Sequence, residues 1–375
     1  MITQLGTLPW TSEVLTGNGE FLEVSPGTFY VVSNSLSNGT FGVFKSTDYG
    51  NTFTETVTYT FPTAGDVVFD PAISFDGTHI RIIGAVTNAA NSTLIDLVVF
   101  TLTPGSPDTL SSPSVVITGT RIHSGYDIIS RSDGTSVIVT AVTNPTNPTL
   151  TNDYTLVGIG LASDGTVSSI TPLLAPAWAI YTIYTVGTRV SYGGAGYLCI
   201  KANTSGSSFT TDMTAGDWAV ETIRTGETYG AVSLVLASDG FTVEAYYTAH
   251  LKVVTFGSVI QQIRMRTLSS GTWSGETIVY YYASSLVGTK LTVLPLGDPS
   301  YDRAMSHLYY TQTGNQLSST LLVGTRVSGT WHFVTYTGST TLTYMEPTLT
   351  YDSGDNIHLN YLWGNVNTGK GGLLV

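Results

Sequence analysis

The chain has 375 residues, 42% of them hydrophobic and 11% charged, with a formal net charge of −12. Folded proteins usually carry about 25% charged residues, so the polar surface must be built mainly from Thr, Ser, Asn, Gly and Tyr. The 14 basic residues are scattered singly, which excludes the clustered Lys and Arg of a nucleic-acid surface and argues against insertion into, or binding to, anionic membranes.

Cys199 is the one cysteine, so no internal disulfide and no cysteine metal site is expected. The opening stretch MITQLGTLPWTSEVL lacks a basic n-region and an apolar h-region. No apolar run reaches the roughly 18 residues of a membrane span. Strand formers (Thr, Val, Tyr, Ile) are abundant and strong helix formers scarce, which predicts an almost all-β protein.

A hairpin unit recurs along the chain. It reads EFLEVSPGTFYVVS from Glu20, DPAISFDGTHIRIIGAV from Asp70 and DIISRSDGTSVIVTAV from Asp127. It returns as AVSLVLASDGFTVEAYY from Ala231, LTVLPLGDPSYDRAMSHLYY from Leu291 and EPTLTYDSGDNIHLNYL from Glu346. Each places a tight turn, often Asp-Gly, between two short apolar strands; such turns need φ > 0, which Gly supplies. A third alternating strand follows each hairpin, as in LIDLVVFTLT, and a fourth often opens on an aromatic, as in GTWSGETIVYYY.

Four antiparallel strands per unit, at a period of about fifty residues, predict a six-bladed β-propeller. A pair of β-sandwiches or a β-solenoid is the competing architecture. The sixth unit lacks a fourth strand, and LPWTSEVL (8–15) resembles GTWSGETI (271–278). The N-terminal strand is therefore expected to pair with C-terminal strands and close the ring, removing exposed edges.

Between the third and fourth units the spacing doubles. The excess is assigned to an inserted domain, residues 175–222, with 1–174 and 223–375 forming the propeller. The insertion carries Trp178, Tyr184, Gly187, Val190, Tyr192, Gly194, Tyr197, a Thr-Ser-Gly turn at 204–206 and Trp218. This pattern resembles the small chitin-binding-type carbohydrate-binding module. The resemblance implies sugar stacking on aromatic rings, with Trp178, Tyr181, Tyr184, Tyr192, Tyr197 and Trp218 as candidates. In such modules an aromatic pair often follows the last strand tyrosine. Here the matching stretch is LCIKANTSG, without an aromatic. The competing reading makes these rings core and the module a spacer.

STDYGNTF (46–53) resembles the Asp-box of sialidases and other propeller glycosidases and lectins, with Phe53 in place of tryptophan. That motif shapes an outer hairpin and supports the fold rather than an activity. No three arginines among Arg81, Arg121, Arg131, Arg189, Arg224, Arg264, Arg266, Arg303 and Arg326 occupy matched early positions of successive inner strands, so a sialidase is not expected.

Six residues before the first turn of a unit stand Glu20, Asp70, Asp127 and Glu346, with Ser233 and Thr292 in the fourth and fifth units. Carboxylates there would face the central channel. They could serve as acid and base of a glycosidase or hold Ca²⁺ through oxygen ligands; the third and favoured reading is that they cap backbone N–H groups at the blade entrance or simply face channel water, leaving no assigned catalytic residue. His79, His123, His250, His307, His332 and His358 show no metal-ligand spacing, and no metal or other cofactor is expected.

The low charge and the Thr/Ser/Gly/Tyr richness resemble phage structural proteins. The expected function is a non-enzymatic virion component, assembled in the host cytoplasm and carried on the extracellular particle. It would act in host adhesion or receptor binding, gripping a cell-surface glycan through the module. Its other partners would be virion proteins and further copies of itself, a homo-oligomer adding avidity. The alternatives are a propeller glycoside hydrolase using the channel carboxylates and a purely architectural capsid or tail decoration protein.

Overall fold

The computed structural model describes residues 21–35, 40–61, 69–87, 94–120, 122–143, 154–173, 178–184, 189–192, 195–221, 227–252, 259–283, 290–296, 301–313, 316–337, 342–351, 357–365 and 370–374. Apart from one short helix, Phe209–Thr214, the regular elements are β-strands. Six antiparallel sheets of three to five strands carry the repeat, each ordered as the chain runs. Their first strands are Phe21–Ser25, Phe69–Phe75, Ile122–Ser130, Glu227–Leu236, Lys290–Pro295 and Leu342–Tyr351. Each packs against the first strand of the next sheet in turn. This is the propeller arrangement, with sheets as blades and first strands innermost. The segment expected to close the ring, 8–15, lies outside the described residues.

Strand periodicity explains the packing. Successive side chains point to opposite faces of a sheet, so each blade can bury both faces. In the second strand of blade two, Ile80–Thr87, Ile80 and Ile82 join a core with Tyr30, Phe41 and Val43 of blade one. Ile83, one step out of phase, joins Ile128, Ile138 and Ile159 of blade three. Equivalent cores fill the seams between blades three and four and between four and five. Apolar runs such as HIRIIGAV are therefore strands buried on two faces rather than helices.

The predicted Asp-Gly turns form. Gly77, Gly134 and Gly240 have φ of +96°, +83° and +71°. In these hairpins the Asp side chain accepts from the chain two or three residues on, as Asp133 does from Thr135 and Asp239 from Thr242. Asp48 does the same in the Asp-box stretch, accepting from the Thr52 N–H and hydroxyl at 2.9 and 2.7 Å and from Ser46 at 2.7 Å, while Phe53 is buried.

The inserted segment folds between the last strand of blade three, Val167–Pro172, and the first strand of blade four. A two-stranded sheet pairs Ile183–Tyr184 with Asn203–Thr204, and a three-stranded sheet joins Arg189–Tyr192, Ala195–Cys199 and Trp218–Glu221. No described helix is long and apolar enough to cross a membrane.

Candidate functional site

The module has a core of five buried residues, Tyr184, Val190, Cys199, Phe209 and Trp218. Phe209 is the hub. Its ring lies 4.5 Å from Tyr192 and from Tyr197, 5.5 Å from Trp178 and 5.8 Å from Trp218, centroid to centroid. Tyr184 meets Trp218 edge-on at 5.0 Å. So small a unit has little apolar surface to bury, and a few large rings supply most of it. Burial pushes the Cys199 thiol up, and its Sγ donates to the Lys201 carbonyl at 3.1 Å.

Of the six candidate sugar-stacking rings, the structure therefore puts two, Tyr184 and Trp218, inside, where neither face meets solvent. Trp178 and Tyr197 are half-buried against the same core. Tyr192 is 44% exposed and Tyr181 70% exposed. The exposed aromatic surface is thus carried by Tyr181 and Tyr192, flanked in sequence by the exposed Ile180 and Ile183. Sequence reading missed Phe209, which sits in the one helix of a strand-rich segment and outside the resemblance pattern.

The inner strands are stitched blade to blade. A first strand has a hydrogen-bonded neighbour on one side, so alternate N–H groups point away from its own sheet. Asp127, half-buried, accepts from Leu234 N–H of blade four at 2.7 Å and from Ile128 N–H at 2.7 Å. Ser233, at the same repeat position one blade later, accepts from Val293 N–H of blade five at 3.0 Å. Ser74 accepts from Ser130 N–H across the blade two–three seam at 2.7 Å. Asp127 and Ser233 thus make the same contact with different chemistry, a carboxylate in one and a hydroxyl in the other. Glu20 lies outside the described residues. Asp70 and Glu346 stand on described first strands, but their side chains lie outside the described set.

The seams also hold buried charges that the sequence reading passed over. Glu244 accepts from Arg303 Nε at 2.8 Å and from Arg326 Nη2 at 3.1 Å across the blade four–five seam, and Arg326 also pairs with Asp302 at 2.5 Å. Arg326 holds the Asp302 carboxyl below its ordinary range. Burial and Glu244 push the Tyr246 phenol far above its ordinary value. Arg81 bonds Thr101 of its own blade and reaches the Ser163 carbonyl across the blade two–three seam. In blade four, Arg264 pairs with Glu276 at 3.1 Å. The signal lay in the repeat, since Arg81 and Glu244 stand five residues after Asp76 and Asp239, single charges in apolar second strands. Each of these groups has a partner in its own blade or across the seam. Among the described residues no cluster of His, Cys, Asp and Glu could hold a metal ion.

Against this geometry, comparisons with known proteins give two results. Residues 177–219 match the carbohydrate-binding module family 5/12. The propeller resembles solved structures of glycoside hydrolases. An α-L-arabinofuranosidase from Fusarium graminearum matches at 10% identity and a TM-score of 0.51, covering 94% of this chain and 90% of that one. An exo-β-1,3-galactanase from Phanerochaete chrysosporium matches at 13% identity and a TM-score of 0.44, covering 96% and 78%. An endo-arabinase from Bacteroides thetaiotaomicron matches at 14% identity and a TM-score of 0.40, covering 86% and 93%. No curated protein matches the chain.

The chain is thus an all-β propeller bearing a segment similar to a carbohydrate-binding module. These comparisons overturn the reading as a non-enzymatic virion protein for host adhesion, because the fold matched at a TM-score of 0.51 is that of an α-L-arabinofuranosidase and nothing among the comparisons points to a virion. The physical reason is compositional. A charge-poor Thr/Ser/Gly/Tyr surface is what blades buried on both faces leave outside, whatever the protein does. A sialidase relationship is likewise without support, although the Asp-box-like turn forms.

Proposed function

We propose that the chain is a carbohydrate-processing protein of the propeller glycoside hydrolase type, whose inserted module holds it on polysaccharide. The observation that carries this reading is the module, a sugar-binding family's pattern folded around Phe209, with the ring of Tyr181 left in solvent and that of Tyr192 partly exposed while stacked on Phe209. Sugar rings offer C–H faces that stack on such aromatics, and their hydroxyls take hydrogen bonds from the rim.

For the propeller, the first-strand carboxylates are the candidates. Asp127 is engaged by two chain N–H groups, and its counterpart Ser233 does the same work without a carboxyl. It is best assigned to holding the seam. Glu20, Asp70 and Glu346 then remain as candidates for the acid and base, which glycoside hydrolysis requires as a pair, and of these Asp70 and Glu346 stand on described first strands.

The test is an assay for new reducing ends on arabinan, β-1,3-galactan, chitin and cellulose, with parallel sedimentation on the insoluble substrates. The expected result is binding to at least one polysaccharide and turnover that Asp70→Asn and Glu346→Gln each reduce by about a hundredfold or more. Binding without turnover on the whole panel would sink the hydrolase reading. Neither binding nor turnover would sink both halves.

A further inference from the structure

From this carbohydrate reading, on which it rests, we infer that the module grips its glycan through the turn 179–183, with Tyr181 as the stacking platform for a neutral polysaccharide. Two observations single out this turn. Tyr181 is 70% exposed, with Ile180 at 53% and Ile183 at 79%. These three apolar side chains fall within four residues, in a chain where apolar groups can be buried between blades. Tyr181 also holds φ at +53°, a left-handed conformation that a bulky residue adopts only where its surroundings enforce it.

The enforcing group is Ser205, from the Thr-Ser-Gly turn. It is 1% exposed. Its carbonyl accepts the Tyr181 N–H at 3.1 Å and its N–H donates to the Thr182 carbonyl at 2.9 Å. Its Oγ accepts from Thr182 N–H at 2.8 Å and donates to the Ala179 carbonyl at 2.6 Å. The Tyr184 hydroxyl accepts from Ala179 N–H at 2.8 Å and closes the turn from its other side. The turn is therefore fixed by buried partners while its tip carries an unburied ring. A ring fixed in advance loses little freedom on binding.

The chemistry of the ligand follows from what surrounds the ring. The flanks are Ile180, Thr182 and Ile183, uncharged throughout, with the Thr182 hydroxyl donating to the Ile180 carbonyl at 3.1 Å. The module's Lys201 is paired with Asp217 at 3.2 Å, and the whole chain carries a net charge of −12. An acidic glycan would meet repulsion, whereas an uncharged pyranose chain with flat C–H faces fits. The platform is pinned to the stretch after Tyr197 through Ser205, a stretch that carries no aromatic in residues 198–206. The surface that this stretch does not supply is supplied by the turn.

The test uses the full chain with microcrystalline cellulose, colloidal chitin and polygalacturonate as probes. Tyr181→Gly removes the ring at a position where glycine is conformationally favoured, so loss of binding cannot be ascribed to unfolding; circular dichroism checks that the fold is kept. Tyr181→Phe keeps the platform. The expected result is that wild type and Tyr181→Phe sediment with a neutral polysaccharide and not with polygalacturonate, while Tyr181→Gly binds about tenfold or more weakly, the loss typical of removing a central aromatic anchor. If Tyr181→Gly binds as wild type does, the platform assignment is overturned and the carbohydrate reading stands. Preference for polygalacturonate overturns the neutral class. If wild type binds none of the three, the platform assignment for these glycans is overturned, and the carbohydrate reading fails with it if arabinan and β-1,3-galactan are not bound either.

Discussion

The seams between blades and the core of the module solve one problem at two scales. In a seam, two sheets lay alternating side chains against each other, and each core draws ten or eleven buried residues from two blades. In the module, five buried residues do the whole task, and one ring, Phe209, touches four other aromatics. The seam spreads its energy and so tolerates buried charges such as Arg81 and Glu244. The module concentrates its energy and spends no ring on a second role without losing core. That contrast fits the placing of its most exposed aromatic, Tyr181, on a turn pinned by hydrogen bonds, while Tyr192 at a strand end still stacks on Phe209.

The largest expected effect lies in the module. Phe209→Ala should cost about 3–5 kcal/mol, the range for truncating a buried aromatic. In a unit with so small a core that is enough to unfold it. Calorimetry should then show the propeller transition intact, with loss of the module's contribution and of polysaccharide sedimentation. A single shifted transition for the whole chain would break the comparison, since it would mean that module and blades melt together.

The next effect belongs to the blade four–five seam. Glu244→Ala leaves Arg303 and Arg326 facing a buried position without its carboxylate. Removing one partner of a buried ion network costs about 3–5 kcal/mol; Asp302 keeps its hold on Arg326, which puts the expectation at the lower end. Glu244→Gln, which keeps one acceptor, should cost less. The measurement is the denaturation midpoint of the propeller transition, with module-dependent sedimentation unchanged.

Much of this arrangement was legible in the sequence, and the limits are physical. The turns at Asp76, Asp133 and Asp239 were legible because Asp-Gly encodes a backbone conformation locally. The insertion was legible because it interrupts a period. Which rings of the module face outward was not. Ile183 and Tyr184 are adjacent strand residues on opposite faces, and the aliphatic one is outside while the aromatic one is inside. Hydropathy alone gives no sign of that. The seam role of Asp127 was one of three roles open to it by residue type, and the choice needed the neighbouring blade, since its partner Leu234 is 107 residues away.

A smaller effect tests the stitching of inner strands. Ser233→Ala leaves the Val293 N–H without the hydroxyl that now accepts it, at a cost of about 1–2 kcal/mol. Asp127→Ala removes the acceptor for both Leu234 and Ile128 and should cost somewhat more. If the two positions are equivalent stitches, Asp127→Asn, whose amide oxygen can serve only one of the two N–H groups while its NH2 faces the other, should lose about 1–2 kcal/mol but should keep any hydrolytic activity. Loss of activity in a stable Asp127→Asn protein would return this carboxylate to the chemistry.

The smallest effect comes from the exposed turns of the propeller, and its sign is fixed by their hydrogen bonds. The Thr52 hydroxyl, with the Thr52 N–H and Ser46, holds the Asp48 carboxyl down at about 2. Thr135, Thr166 and Thr242 hold Asp133, Asp164 and Asp239 below their ordinary value in the same way. A carboxyl depressed in the folded chain binds its proton more readily when unfolded. Its contribution to stability is complete above the ordinary value of 3.8 and is lost as pH falls from there toward about 2. These groups sit in water, so each contribution is small, but four turns act together. The melting temperature of the propeller should hold steady from neutral pH down to about 4 and decline below it. Asp48→Asn should lower the plateau slightly and make the decline shallower, because the variant has no proton to take up at that turn. An unchanged acid slope in Asp48→Asn would show that this turn contributes shape to the outer hairpin without contributing to its stability.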